Sequence, residues 1–252
     1  MSRYFLEVCY RGSNYSGFQK QENANTIQAE VEKAFSILHR NEIELTGSSR
    51  TDAGVHALQN YFHFDYYKPI HNQFLYKINA ILPEDIVIVT IRIVSDDAHC
   101  RFNATSRVYQ YCLYQTKNPF LNDSAYYFPY KIDLEKLTEA SRLIMNYNDF
   151  TSFSKRNTQV KNFLCTIEQS EWRQEGILLV YHVKANRFLR GMVRGLTATM
   201  LKVGRGKISM EELKNIIERK DCSKADFAVP AKGLSLVKVD FPDAILGMRY
   251  QV

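Results

Sequence analysis

Two halves of this chain run through the same succession of residue patterns, and that order constrains the fold more than any single motif does. Residues 4–10 alternate and are rich in aromatic and β-favouring types, so they read as a strand. A Gly/Ser/Asn loop follows at 12–17. Ile27, Val31, Ala34, Phe35 and Leu38 then recur at helical spacing behind the candidate caps Asn25 and Thr26. Residues 43–46 and 59–66 read as strands, 74–80 as a short helix that stops before Pro83, and Ile86–Val94 as a buried strand.

The second half repeats the order. Residues 107–115 read as a strand, and Asp133 caps a helix carrying Leu134, Leu137, Ser141 and Ile144. Residues 163–172 and 177–185 form a hairpin through Gly176. A long helix is expected over 187–203, with Gly204 as its C-cap. Ser209 with Glu212 forms a capping box for one more helix, and Leu234–Asp240 is a closing strand. Two β-α-β-β-α-β units imply an α+β protein of two ferredoxin-like domains with mainly antiparallel sheets. The expected division is 1–104 and 105–252. A length of 252 residues lets each half bury a core without staples.

Lys plus Arg number 33 against 27 Asp plus Glu, a mild basic excess that hints at a polyanionic partner and leaves the decision to where the charges sit. The five cysteines are scattered without a C-x-x-C pair, which argues against a disulfide framework and against zinc and for reduced thiols. No histidine spacing matches H-E-x-x-H, and none of the six sits with a cysteine in a ligand pattern, so no metal is expected. The short run Gly204-Arg205-Gly206-Lys207 follows a helix and is no dinucleotide fingerprint, so no nucleotide cofactor is expected either. Glu7 interrupts what a secretory leader would need as an apolar stretch, and Arg92 breaks the apolar run around it. A cytoplasmic location is therefore expected.

The chemistry concentrates in residues 47–57. Asp52 follows Arg50 by two residues in a turn with glycine at both ends, and Gly54 can take the positive φ that lets the chain reverse after Asp52. An ionised carboxylate beside a guanidinium, in a pocket that excludes water, suits a nucleophile. A bare Asp-x-Gly is also an ordinary turn. Arg187, Arg190 and Arg194, at i, i+3 and i+7 of the expected helix, share one face that suits either phosphate contacts or a solvated basic surface. The loop 151–162 adds Lys155, Arg156 and Lys161. On the strand at 107–111, Arg107, Tyr109 and Tyr111 share a face that fits a platform for a flat ring or a cross-strand aromatic pair.

Several segments together resemble the tRNA pseudouridine synthase A family. They are Arg50-Thr51-Asp52-Ala53-Gly54-Val55-His56-Ala57, the loop at 10–19, Arg101-Phe102 leading to Arg107-Val108-Tyr109, the stretch at 149–153, the stretch at 186–194, and the ending at 232–240. They follow the family's order and span nearly the whole chain. Arg11 and Phe18 stand where the family often has Asp and Trp, departures that touch the loop at 10–19 and not Asp52.

The resemblance implies conversion of uridine to pseudouridine at positions 38 to 40 of the tRNA anticodon stem-loop, in a basic cleft, by a homodimer without cofactor. It implies Asp52 as catalytic residue, Tyr109 stacking on the target base, Arg194 pairing with the aspartate, and Arg50 filling the gap left by the flipped nucleotide. Residue types leave open whether the carboxylate attacks carbon 6 of the base or carbon 1′ of the ribose. The rival reading is a non-catalytic tRNA-binding module using the same basic face. A hydrolytic glycosidase would want two carboxylates, and the motifs offer one.

Overall fold

The computed structural model describes residues 1–70, 73–155, 160 and 162–246. The chain divides into two compact units, Met1–Thr105 with Leu236–Val252, and Ser106–Ser235. The strand pairs are mostly antiparallel, with a short parallel pair among them, which makes this a mixed α/β protein. Among the described residues no helix is long and apolar enough to cross a membrane.

In the first unit the order is β1 (Ser2–Tyr10), α1 (Ile27–His39), β2 (Thr46–Gly47), β3 (His56–Tyr66), α2 (Phe74–Ile81) and β4 (Ile86–Val94). Strand β1 lies between β3 and β4, and β2 pairs with β3. The strand expected at 43–46 shrinks to two residues. The alternation read from sequence does not separate a buried from an exposed face in β1: residues 4 to 8 are all buried, because both faces of the strand are covered. Tyr4 stacks on Phe64 at 5.4 Å, on the face where Phe35 of α1 meets Phe64, Tyr66 and Phe74. Phe5 points the other way and packs on Phe241. Glu7 shares that second face; it is buried, and Gln59, Tyr61 and Thr90 donate hydrogen bonds to its carboxylate. Helix α1 starts at the expected Thr26, whose hydroxyl accepts from Ala29 N.

The second unit runs β5 (Ser106–Tyr114), β6 (Tyr126–Tyr127), α3 (Leu134–Ile144), β7 (Ile167–Glu175), β8 (Leu178–Ala185), α4 (Met192–Gly204) and α5 (Met210–Glu218). Strand β8 lies between β5 and β7, and β6 runs parallel to β5. The caps read from sequence are present: Asp133 accepts from Lys136 N, and Ser209 and Glu212 form a reciprocal box. Helix α4 exposes only Lys202, with Arg194 half-buried, so it is the central helix of this unit. Its ending differs from the expected Gly204 cap. Gly204 is the last helical residue, pressed against Leu137 and Ile132, while Gly206 takes the left-handed conformation at φ +67. The final strand, β9 (Leu234–Asp240), neighbours β3, and Val239 N donates to Gln59 Oε1 at 3.0 Å.

Candidate functional site

The turn carrying Asp52 is built by close approach of the loop at 12–18. A Cβ on Gly12 would sit 2.0 Å from Val55 O, so no other residue fits there without moving backbone. With that approach allowed, Gly12 N donates to His56 Nδ1 at 3.0 Å. Gly17, at φ +115, lies flat on the turn, where a Cβ would meet Thr51 O at 3.1 Å. Phe18 N then donates to Thr51 O, and Gly54 N to Tyr15 O. Gly54 takes φ +77, as its position after Asp52 anticipates, and Val55 N donates to Asp52 O to close the reversal. Loop and turn hold each other.

Two further groups lock the loop. Asp85 accepts hydrogen bonds from Asn14 Nδ2 and from the Tyr15 hydroxyl, and its main-chain carbonyl accepts from Arg11 N. Burial and the Asp85 carboxylate push the Tyr15 phenol well above its ordinary range, so it stays a donor at neutral pH. The result is an Asp52 that is half-buried between a buried Thr51 and an exposed Ala53, with an exposed Arg50 two residues before it.

In the second unit Tyr109 sits half-buried on β5 opposite Val183, its ring edge-to-face with Phe188 at 5.0 Å. Tyr111, on the same strand face, has a different task. It is fully buried, donates to Pro230 O at 2.7 Å and leaves no space for a side chain at position 233. Only Arg107 and Tyr109 of the expected polar-aromatic face remain accessible.

The arginine stripe is corrected. Helix α4 begins at Met192, so Arg187 and Arg190 belong to the connector before it and share no helical face with Arg194. One backbone conformation and one long-range hydrogen bond decide this. Gly191 takes φ +75, and Arg190 O accepts from Lys155 N at 3.0 Å instead of entering a helix. Asn186 exchanges two hydrogen bonds with Thr166, and its carbonyl accepts from Arg107, which ties the start of the connector to the strands. Lys155 packs its aliphatic stem across Gly191, so that lysine and the arginine connector do lie together. Arg156 and Lys161 fall outside the described residues. Arg194 is half-buried in the first turn of α4, with its Nε donating to Val229 O at 2.9 Å.

The Asp149–Phe153 stretch, singled out from sequence, is structural. Asp149 caps the turn at Thr151 and pairs with Lys220 at 2.8 Å. The Ser152 hydroxyl donates to Ile216 O and accepts from Asp221 N, which fastens the end of α5.

Sequence spacing also missed a cluster in the first unit. His63 Nδ1 lies 3.2 Å from Cys100 Sγ, and the His63 and His99 rings are 4.5 Å apart, so three metal-competent side chains gather. Three of their polar atoms hold the local structure. Cys100 donates to Thr46 O, and His99 Nδ1 accepts from Arg101 N. Burial, then the neighbouring His99 and Arg3, push the His63 imidazole down to about 4, so it is neutral at physiological pH. The cluster ties β3 to the segment after β4. Burial likewise raises the thiols of Cys112 and Cys165 to about 11, which keeps them protonated.

The sequence matches the family described as tRNA pseudouridine synthase over residues 8–103 and 147–242. These stretches contain Arg50, Asp52 and Arg194, whereas Tyr109 lies between them. The tRNA pseudouridine synthase A of Parabacteroides distasonis is 42% identical over 247 residues, covering 97% of this chain and 98% of that protein. The protein of the same name from Bacteroides thetaiotaomicron is 41% identical over 249 residues, covering 97% and 93%. That of Staphylococcus saprophyticus is 37% identical over 240 residues, covering 94% and 90%.

Proposed function

The chain belongs to the tRNA pseudouridine synthase family, and from that premise we propose how its own residues carry the activity. It is an isomerase that converts uridine to pseudouridine in tRNA. The glycosidic bond to nitrogen 1 of uracil breaks, the base turns over, and a bond to carbon 5 forms. Carbon 5 loses a proton and nitrogen 1 gains one, so product and substrate have equal mass.

Asp52 is the nucleophile in this reading. The observation that carries it is the construction of its turn: two glycine contacts and a set of buried hydrogen bonds spend folding energy on presenting one half-buried carboxylate. A stacked uridine is out of reach and must be everted, at a cost of a few kcal/mol. Stacking on Tyr109 offsets roughly 1–3 kcal/mol of that, and Arg50, exposed beside the acid, fills the vacated space. Arg194 supplies the counter-charge to the carboxylate. Its Nε bond to Val229 O fixes the guanidinium plane. Arg187, Arg190 and Lys155 contact phosphates.

The substrate region is positions 38 to 40 of the anticodon stem-loop, and the enzyme acts in the cytoplasm as a homodimer; the resemblance supports each of these. The halves 1–104 and 105–252 are both ferredoxin-like. The strand order of the first unit and the equal lengths of the two family-matched stretches support that.

The test is tritium release from [5-³H]uridine-labelled tRNA. Asp52→Asn abolishes release while tRNA affinity stays within about threefold. Release at the normal rate removes Asp52 from the chemistry, and an inactive wild-type chain that still binds tRNA establishes the non-catalytic binding module instead.

A further inference from the structure

We propose that Asn60, Tyr10 and Thr51 form a chain of positioning residues that sets the aim of Asp52; the proposal rests on Asp52 being the nucleophile. The chain starts at an irregularity in the sheet. Val8 of β1 faces Asn60 of β3, but Tyr10 faces Ala57, so two steps along β1 span three along β3. Such a bulge re-aims side chains. Here it brings the Tyr10 hydroxyl to 3.2 Å from Asn60 Nδ2 and 2.8 Å from Thr51 Oγ1.

Asn60 is fully buried and uses its whole hydrogen-bonding capacity. Its Oδ1 accepts from Ser49 N and Tyr61 N, and its Nδ2 donates to Ser49 O and to the Tyr10 hydroxyl. One carboxamide thereby grips both backbone groups of Ser49 and, through Tyr10, the side chain of Thr51. Phe18 N holds Thr51 O at 3.1 Å on the other side. Thr51 is thus fixed by main chain and side chain, and the Cα of Asp52 hangs from it.

None of these three residues is offered as a reacting group, so their effect passes through geometry. Misplacing a reacting atom by 1 Å costs about a hundredfold in rate. The Tyr10 hydroxyl joins the Asn60 clamp to Thr51, and removing it cuts that link without opening a core cavity.

Tyr10→Phe and Thr51→Val each lower kcat for tRNA pseudouridylation about tenfold, with KM within about twofold. The double variant is no slower than either single one, because both cut the same link. Thr51→Ser, which keeps the hydroxyl, recovers most of the rate. A purely structural role predicts otherwise: lower melting temperatures and unchanged kcat for the folded fraction. Wild-type kcat in both single variants, or losses that multiply in the double variant, overturns the proposal. Asp52→Asn in the same assay separates the two readings. If it is inactive while the Tyr10 and Thr51 variants run normally, the positioning chain falls and the nucleophile stands. If it is active, the nucleophile itself falls.

Discussion

The turn around Asp52 and the connector from Arg187 to Gly191 are both short irregular segments rich in polar groups, yet they are held in opposite ways. Around Asp52 the backbone groups of Ser49, the carbonyls of Thr51 and Asp52, and Gly54 N all meet partners in the turn, the neighbouring loop or β3, and two glycines are required for the approach. The connector is held at its ends, by Asn186 with Thr166 and by Arg190 O with Lys155 N, while its arginine side chains stay half-buried or exposed. A nucleophile must sit within a fraction of an ångström of one atom, so its support is rigid. Phosphate contacts act through charge over a longer range and tolerate mobile side chains. Stability and activity should therefore be coupled in the first segment and separable in the second.

The hardest blow to this contrast is aimed at the turn itself. Asp52→Asn should lower turnover by about a thousandfold or more with an unchanged melting curve. Next comes Gly12→Ala, which forces backbone apart at Val55 and should cost upwards of about 3 kcal/mol in urea unfolding, along with most activity. A near-neutral Gly12→Ala would mean the loop and turn are not locked together.

Acid sensitivity should also reside in the first unit. With the folded His63 near 4 and its unfolded value near 6.5, the unfolded chain binds the extra proton between those values. Stability is then highest above about pH 6.5 and falls as pH drops towards 4, by about 3 kcal/mol at most. His99, lowered by burial, acts in the same direction. His63→Gln should flatten this limb of the stability–pH curve; an unaltered limb would assign the effect to other groups.

The smallest effects belong to the connector. Arg187→Gln with Arg190→Gln should leave the melting temperature within about a degree. The slope of log affinity against log salt should shrink by close to one unit per arginine. An unchanged slope would return both residues to a solvated basic surface.

Much of this was legible in the sequence where the cause is local. The caps Thr26, Asp133 and Ser209 act within three residues, so their side chains announce the helices they start. Strands β4 and β9 carry enough β-branched residues to be bounded by pattern alone. The connector misled for an equally physical reason. Residues 186 to 191 have adequate helix formers and a basic stripe, but Lys155, far away in sequence, takes the Arg190 carbonyl, and Gly191 turns left-handed. Propensity is overruled there by one distant hydrogen bond and one backbone conformation.

What the sequence determined by itself was the order of elements, the caps, the reversal at Gly54 and the identity of the lone acid within it, because each follows from side chains within a few residues of one another. Tertiary structure alone decided that Gly12 must lack a side chain, that Tyr111 belongs to the core while Tyr109 stays accessible, that His63 meets Cys100, and that Asn60 reaches Thr51 through Tyr10. Those outcomes depend on strand register and on contacts between residues tens of positions apart, which no local pattern encodes.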